Sequence, residues 1–289
     1  TVYGLGADAR HGEAIARLYA AKGRPTFNPL IAHVASADAA RALAAFDADA
    51  AKLAAAFWPG PLTLVLPKKP DCPVAALALA GLDTIALRVP AHETARAMLK
   101  AFGGPVVAPS ANRSGHVSPT SAAHVLADLR GRIDLILDDG PCAVGVESTI
   151  VACLGEPTLL RPGGLPRGKI ERVHGRRLAM PVTGEDDEAP IAPGMLASHY
   201  APKAKLRLDA QGPRDGEALL AFGPTPTYTG TMFNLSPDGN LIEAATNLFS
   251  HLRALDASGA TSIAVMPVPD EGLGEAINDR LARAAAPKP

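Results

Sequence analysis

The sequence predicts an α/β protein of two domains, and three observations carry that expectation. Short apolar runs of strand length alternate with helical periodicities over most of the chain. The length, 289 residues, exceeds the roughly 150 of an average domain. The alternation is broken once, by a proline-rich acidic stretch. Hydrophobic residues make up 47% and charged residues 20%, which supplies a core and excludes a disordered chain.

Taken in order, Asp8 to Lys22 reads as a helix, with Ile15, Leu18 and Tyr19 on one face, Asp8 as its cap and Gly23 as its stop. Ser36 can cap a second helix running through Phe46. A third spans Asp49 to Phe57 and stops at Pro59-Gly60-Pro61. Leu62–Leu66, Thr84–Val89, Val106–Ala108, Ile133–Leu137 and Thr149–Leu154 are apolar runs suited to buried strands, and Arg161 closes another. His92–Phe102 and Thr120–Leu129 are helical between them, the latter capped by Ser118 or Thr120. These define a first domain over residues 1–175 with a mostly internal sheet.

Residues 176–202 carry Glu185-Asp186-Asp187-Glu188 and then Pro190, Pro193 and Pro202, with few apolar side chains, so they read as a linker or extended surface segment. From 203 to 289 the alternation resumes: Leu206–Leu208, Leu219–Phe222 and Ile263–Met266 as strands, Leu241–Leu255 and Glu271–Ala285 as helices. This is a second α/β domain of about 85 residues.

There are 28 Lys+Arg against 29 Asp+Glu, a formal charge of -1, which argues against binding nucleic acid or acidic membrane through the net field but allows a local basic pocket. Cys72, Cys142 and Cys153 form no metal or disulfide pattern, so a reducing, cytoplasmic setting is expected. No apolar run reaches the ~18–20 residues of a membrane span, and no signal peptide is visible. The histidines are dispersed, and no structural metal is expected.

Two glycine motifs invite nucleotide readings and fail on detail. Gly4-Leu5-Gly6-Ala7-Asp8-Ala9 matches G-x-G-x-x-[G/A] ahead of a helix, but no acidic residue stands about 20 positions on, where a ribose would need one. Gly163 to Ile170 has P-loop spacing but ends in Ile, where Ser or Thr must hold Mg²⁺, so it reads as a loop entering a helix.

Other segments are more promising. Lys22 and Arg24 end a helix one residue apart and suit a polyphosphate, Arg by its fork and Lys as a point charge; Pro25 and Pro29 then stiffen the chain that carries Asn28 and His33. Val106 to Thr120 is a strand running into a loop of Ser110, Asn112, Ser114 and Ser118, placed where α/β sheets bind ligands. Thr84 and Arg88 share one strand face, and an arginine in an apolar strand calls for an anion. Glu147-Ser148-Thr149 opens a strand. No Ser-His-Asp or Cys-His arrangement stands out, so the chemistry reads as positioning by cations and hydroxyls.

Taken together, these stretches resemble the YrdC-like family of threonylcarbamoyl-AMP synthases in its long, two-domain form. The matching segments are Thr1-Val2-Tyr3-Gly4-Leu5-Gly6-Ala7-Asp8-Ala9, Lys22-Gly23-Arg24-Pro25 with Asn28-Pro29-Leu30, Pro59-Gly60-Pro61-Leu62-Thr63, Leu87-Arg88-Val89-Pro90, Ala108-Pro109-Ser110-Ala111-Asn112 with Ser114-Gly115, Ser118-Pro119-Thr120, Glu147-Ser148-Thr149-Ile150 and Leu160-Arg161-Pro162-Gly163. Ala192-Pro193-Gly194-Met195 with His199-Tyr200-Ala201-Pro202 resembles the family's linker. The fold implied is a YrdC-like twisted open mixed sheet with flanking helices and a concave site, plus a smaller C-terminal Rossmann-like domain.

The resemblance implies synthesis of threonylcarbamoyl-AMP and pyrophosphate from L-threonine, bicarbonate or CO₂, and ATP, with Mg²⁺ accompanying ATP. Partner proteins would use the product to modify the adenosine next to the tRNA anticodon. It places Lys22 and Arg24 at the reacting phosphates and Asn28, Thr84, Ser110, Asn112, Ser118, Arg161 and the lid residue Tyr200 around ATP. Thr1, His33, Arg88, the main chain at Ala108, and Ser148 would hold threonine. The family carries Pro-Thr-Glu-Thr before Val-Tyr-Gly, of which only Thr1 remains, so the chain is expected to lack its extreme N-terminus. Leu196-Ala197-Ser198 stands where relatives often carry a more basic stretch. The alternative readings are an RNA-binding module using the same basic cavity, to which Arg113 could add, and a dinucleotide-dependent oxidoreductase resting on Gly4 to Ala9.

Overall fold

The computed structural model describes residues 1–181, 192, 199–225 and 228–287. The first unit holds β1 (Ala7–Asp8), α1 (Gly12–Lys22), β2 (Ile31–His33), α2 (Ala37–Leu43), α3 (Ala48–Phe57), β3 (Leu62–Pro67), β4 (Thr84–Arg88), α4 (Glu93–Phe102), β5 (Val106–Val107), α5 (Ala122–Leu129), β6 (Thr149–Ala152), β7 (Thr158–Arg161) and α6 (Arg167–His174). Its strands form one mixed sheet in the order β1-β5-β2-β4-β3-β6-β7. β2 runs parallel to β4, and β3 parallel to β6. The other neighbours are antiparallel. The second unit holds β8 (Lys205–Arg207), β9 (Ala218–Ala221), β10 (Met232–Asn234), α7 (Leu241–Ala257), β11 (Ser262–Val265) and α8 (Gly274–Ala285). Its sheet is parallel throughout, in the order β10-β9-β11-β8.

The apolar runs read from the sequence as buried strands divide their side chains between the two faces of the sheet. One face of the first sheet sends Leu62, Leu64, Leu66, Ile85 and Leu87 into the main apolar cluster, against Ile15, Leu18 and Leu53 of α1 and α3. The opposite face presents a thinner strip of Ile31, Val65, Ala86, Ile150 and Leu160, and Ala192 packs on it. That second face therefore carries few apolar groups and leaves room for polar ones at its ends. The second unit buries Leu220, Ile263, Leu248, Phe249 and Ile277 around α7 and α8.

Several expectations are corrected. α1 begins at Gly12 behind His11, and Asp8 does not cap it. The Asp8 carboxylate is taken by Arg10, whose main-chain N–H and Nε each donate to Oδ1 at 2.9 Å. The glycine motif therefore does not open a helix: Gly4 bridges to Ser110 and Ala7–Asp8 pairs with β5. Ile133–Leu137 is not a strand. Ile133 and Ile136 pack inward, a spacing of three rather than two, while Leu135 and Leu137 are 75% and 53% exposed. α5 is capped by Ser121, which accepts from the His124 N–H, because Ser118 and Thr120 hydrogen-bond elsewhere. β2 and β10, three residues each, are strands that the sequence reading did not include.

The segment expected as a linker or surface stretch is mixed where it is described: Arg176, Arg177 and Met180 are exposed, and other residues are buried. Leu178 packs in the first core, Ala179 pairs beside Thr158, and Ala192, His199 and Tyr200 are all buried. The acidic run 185–188, most of the 192–195 motif and Leu196-Ala197-Ser198 lie outside the described residues.

Candidate active site

The site is assembled along β2, β4 and β5 of the first sheet, where β2 and β4 run parallel and finish beside the start of the antiparallel β5. Gly23 adopts φ 62°, the left-handed region that glycine tolerates, and so ends α1 and turns the chain toward β2. That turn leaves Lys22 buried at the helix terminus. Its Nζ donates to the Ser110 carbonyl at 2.6 Å and to the Asn112 carbonyl at 2.5 Å. Arg24, also buried, donates through Nη2 to the carbonyls of Asn28 (3.3 Å) and Pro29 (3.1 Å). Asn28 is held further by Tyr19, whose hydroxyl donates to its carbonyl at 3.0 Å.

β4 ends in Arg88, whose Nε donates to the Gly60 carbonyl and Nη1 to Thr1 Oγ1, each at 3.0 Å. His33 pairs with Arg88 in register, and its Nδ1 faces the Ile31 carbonyl at 3.2 Å. Ala108 continues β5, its N–H donating to the Ile31 carbonyl at 3.2 Å. Ser148 precedes β6, and its Oγ lies 2.8 Å from Thr63 Oγ1. Arg161, at the end of β7, donates through Nη2 to the Ser148 carbonyl at 2.9 Å and to Ser148 Oγ at 3.3 Å.

The electrostatics are unusual for a protein interior. Lys22, Arg24, Arg88 and Arg161 are all buried. Burial pulls the Lys22 ammonium down to about 7, with the charge of Arg24 adding to the effect. Burial also lowers Arg88 to about 10, with Arg161 as the neighbouring cation that contributes. Among the described residues, Lys22, Arg24 and Arg88 have only neutral acceptors. A buried cation without an anion is costly, so this cluster is built for anionic ligands. Two further groups are unsatisfied there: the buried Oδ1 atoms of Asn28 and Asn112 have no hydrogen-bond partner.

The structure thus brings together most of the residues singled out from the sequence. Ser110, Asn112 and Ser118 line one loop beside Lys22, and Asn112 is fixed by donating Nδ2 to the His116 carbonyl at 2.7 Å. Thr84 stands apart. It shares a face with Arg88 but lies at the other end of β4, about 13 Å away at ~3.3 Å per residue, and it borders a separate surface cavity with Asp47 and Cys153. Tyr200 is not a free flap: it is buried, stacked on Phe249 at 5.6 Å and edge-on to His199 at 4.0 Å. Its φ of 62° is strained for a non-glycine residue, which marks a position held by its surroundings. The Tyr200 hydroxyl is close enough to Arg24 and Arg161 to influence both.

Gly163 to Ile170 is a loop entering a helix, as expected, and not a P-loop. The N–H of Gly164 is spent on the Glu147 carbonyl at 2.8 Å, and Lys169 lies inside α6. Sequence reasoning missed two residues at the site, Arg280 and Arg253 of the second unit; Arg280 is fully buried against Glu147. No local pattern marks either one. Among the described residues no group of three or more His, Cys, Asp or Glu could hold a metal ion. No helix there is long and apolar enough to cross a membrane.

Comparison with known proteins matches this architecture along its length. A family model described as "Telomere recombination" (Sua5–YciO–YrdC) matches residues 1–163. A model described as "Threonylcarbamoyl-AMP synthase, C-terminal domain" matches residues 165–286. A threonylcarbamoyl-AMP synthase of Pyrococcus abyssi is 43% identical over 302 residues, covering 99% of this chain and 88% of the relative. One of Bacillus subtilis is 40% identical, covering 99% and 87%. A crystal structure of P. abyssi Sua5 in complex with L-threonine superposes with a TM-score of 0.90 at 42% identity, covering 99% of this chain and 88% of that one. Escherichia coli YciO, at 21% identity and a TM-score of 0.50 over 56% of this chain and 79% of its own, shares the fold of the first unit.

Proposed function

The chain belongs to the threonylcarbamoyl-AMP synthase family, and from that membership we propose that its buried cationic cradle joins L-threonine, CO₂ or bicarbonate, and ATP into threonylcarbamoyl-AMP and pyrophosphate. One observation carries the assignment to this site: Lys22, Arg24 and Arg88 are buried cations with only neutral acceptors, and the substrates supply the missing anions.

In this reading Arg88 receives the threonine carboxylate, with Thr1, His33, the main chain at Ala108, and Ser148 around it. Lys22 and Arg24 take the triphosphate. Asn28, Ser110, Asn112, Ser118, Arg161 and Tyr200 enclose the nucleotide, and Thr84, at the other end of β4, is the expected member that stands outside this cradle. The amine of threonine forms its N–C bond to CO₂ and loses a proton, giving a carbamate. A carbamate oxygen then bonds to the α-phosphorus as the bond to the β-phosphate oxygen breaks, and pyrophosphate leaves with that electron pair. Acceleration comes from proximity and from cations placed where charge develops, so the absence of an activated nucleophile in the cradle is no obstacle.

Mg²⁺ fits as a companion of ATP rather than a resident ion. The nearby carboxylate, Glu147, is already occupied by Ser118 and Arg280, and the phosphates are the remaining hard oxygen ligands. The product would pass to proteins that modify the adenosine beside the tRNA anticodon. A cytoplasmic setting agrees with the three free cysteines. RNA binding is the weaker reading, because the cations sit inside the protein rather than along an exposed strip.

The test is pyrophosphate release from ATP, with and without L-threonine and bicarbonate. Release that needs both supports the reading. Release that ignores threonine, or steeply salt-dependent RNA binding without turnover, overturns it.

A further inference from the structure

The second unit reaches into the site through two arginines that the mechanism above does not use. Arg280 of α8 is fully buried, and its Nε donates to Glu147 Oε2 at 2.8 Å across 133 residues of sequence. The other oxygen of Glu147 accepts from Ser118 Oγ at 2.5 Å. Arg280 also donates through Nη1 to Asp279 at 2.5 Å, and its guanidinium lies 5.1 Å over the Tyr200 ring. Arg253 of α7 donates through Nε to the Ser118 carbonyl at 3.3 Å, through Nη2 to the Val117 carbonyl, and by both terminal nitrogens to the Asp128 carboxylate at 3.2 and 2.7 Å. Ser118 is therefore gripped at its hydroxyl and at its carbonyl, in both cases under the control of the other unit.

We propose that Arg280 and Arg253 are positioning residues for nucleotide binding: Arg280 orients Ser118 through Glu147, Arg253 fixes its main chain, and the second unit thereby completes the ATP side of the site. The inference rests on the reading that Ser118 lines the nucleotide. Its logic is that of a buried ion pair. Glu147 is costly to hold ionised in the interior, and burial pushes its carboxyl up. The cations of Arg280 and Arg161, with the bonds from Ser118 and Arg280, outweigh that and leave it below the ordinary carboxylate range. An ionised Glu147 accepts from Ser118 in one fixed direction. Without Arg280 it would be protonated or turned away, and the Ser118 hydroxyl would be released.

The experiment measures KM for ATP and, separately, for threonine in pyrophosphate release by the full chain carrying Ser118→Ala, Arg280→Met, Arg280→Lys, Arg253→Met, Glu147→Gln or the Glu147→Gln/Arg280→Met pair. The expected result is an ATP KM raised about tenfold by Ser118→Ala and at least as much by Arg280→Met, with threonine KM within twofold. Arg280→Lys should recover part of the loss. The double variant removes both charges, so it should fold even where Arg280→Met does not, and it should be no worse than Glu147→Gln alone. An ATP KM left unchanged by Arg280→Met, or by Arg253→Met, while Ser118→Ala raises it would overturn the proposal and reduce the arginines to docking contacts. An unchanged ATP KM in Ser118→Ala would also overturn it, while threonine-dependent release by the parent chain would leave the family reaction standing.

Discussion

The Nζ of Lys22 donates to the Ser110 carbonyl at 2.6 Å, so the end of α1 is tied to the loop after β5 by a buried group whose ionisation is poised near neutrality. Burial lowers Lys22 to about 7, below the ordinary 10.5 of a lysine, and Arg24 adds to the fall. Triphosphate beside it would favour the ammonium and raise the value again. ATP binding at pH 8 should therefore take up close to one proton, and affinity should weaken as pH rises above 7. Calorimetric titration in two buffers of different ionisation enthalpy reads the uptake directly. Lys22→Met should abolish it and raise KM for ATP at least tenfold. Binding without proton uptake would show that Lys22 does not meet the phosphates.

Arg88 and Lys22 should separate in kinetics. Among the described residues Arg88 bonds only to Gly60 and Thr1, and it stands in register with His33, at the end of the cradle proposed for threonine. A charge-assisted hydrogen bond contributes about 2 kcal/mol, roughly thirtyfold in affinity. Arg88→Ala should raise KM for threonine by that order while ATP KM changes little, the reverse of Lys22→Met. Arg88→Lys keeps the charge but loses the planar fork, so it should recover only part of the loss. Equal effects on both substrates from either variant would break the assignment.

The contrast between what was legible and what was not follows from range. Arg88 stood out as a cation in an apolar strand, Lys22 and Arg24 as two cations one residue apart at a helix end, and the structure brings all of them to one cradle. β3, β4 and β6 were visible because each is a short continuous apolar run, and each is buried over almost its whole length. Arg280 and Arg253 carry no such mark. On their own helices they look like ordinary charged positions, and only the approach of α7 and α8 to Ser118 and Glu147 in the loops of the first unit makes them part of the site. Local signals also failed where a neighbour competed: Asp8 has the chemistry of a cap, but Arg10, two residues on, claims its carboxylate.

Acid should destabilise the fold before its carboxylates titrate. His199 is buried, and burial is the main cause of its fall to about 3, from the ordinary 6.5. His33 falls likewise to about 3, by burial and then by Arg88. The unfolded chain binds these protons from about pH 6.5 downward, whereas the folded one refuses them until about 3. Stability is thus complete above pH 6.5 and is lost as pH drops from there toward 3. Urea unfolding at pH 7, 6 and 5 should show a falling midpoint, and His199→Gln should flatten that slope between pH 6.5 and 5, where the carboxylates contribute little. An unchanged slope in that variant would mean that His199 is accessible to protons in the fold.

The two units also approach closely at a glycine. Gly145 has φ 75°, and a Cβ placed on it would lie 2.2 Å from the Ala245 carbonyl oxygen and 2.4 Å from Thr246 Cα. Beside it, Thr246 Oγ1 donates to the Ala143 carbonyl at 2.9 Å, so α7 is both touching and bonded there. Both obstacles are backbone, which cannot swing aside as a side-chain end can. Gly145→Ala must therefore strain its own backbone and push α7 outward, at a cost of about 1–3 kcal/mol. Because Arg253 rides on α7, an outward shift would also draw on the Ser118 carbonyl that it holds. The expected outcome is a melting temperature lower by several degrees together with a raised KM for ATP and an unmoved KM for threonine. A lower melting temperature with both KM values intact would show that this contact supports the fold without transmitting anything to the nucleotide side.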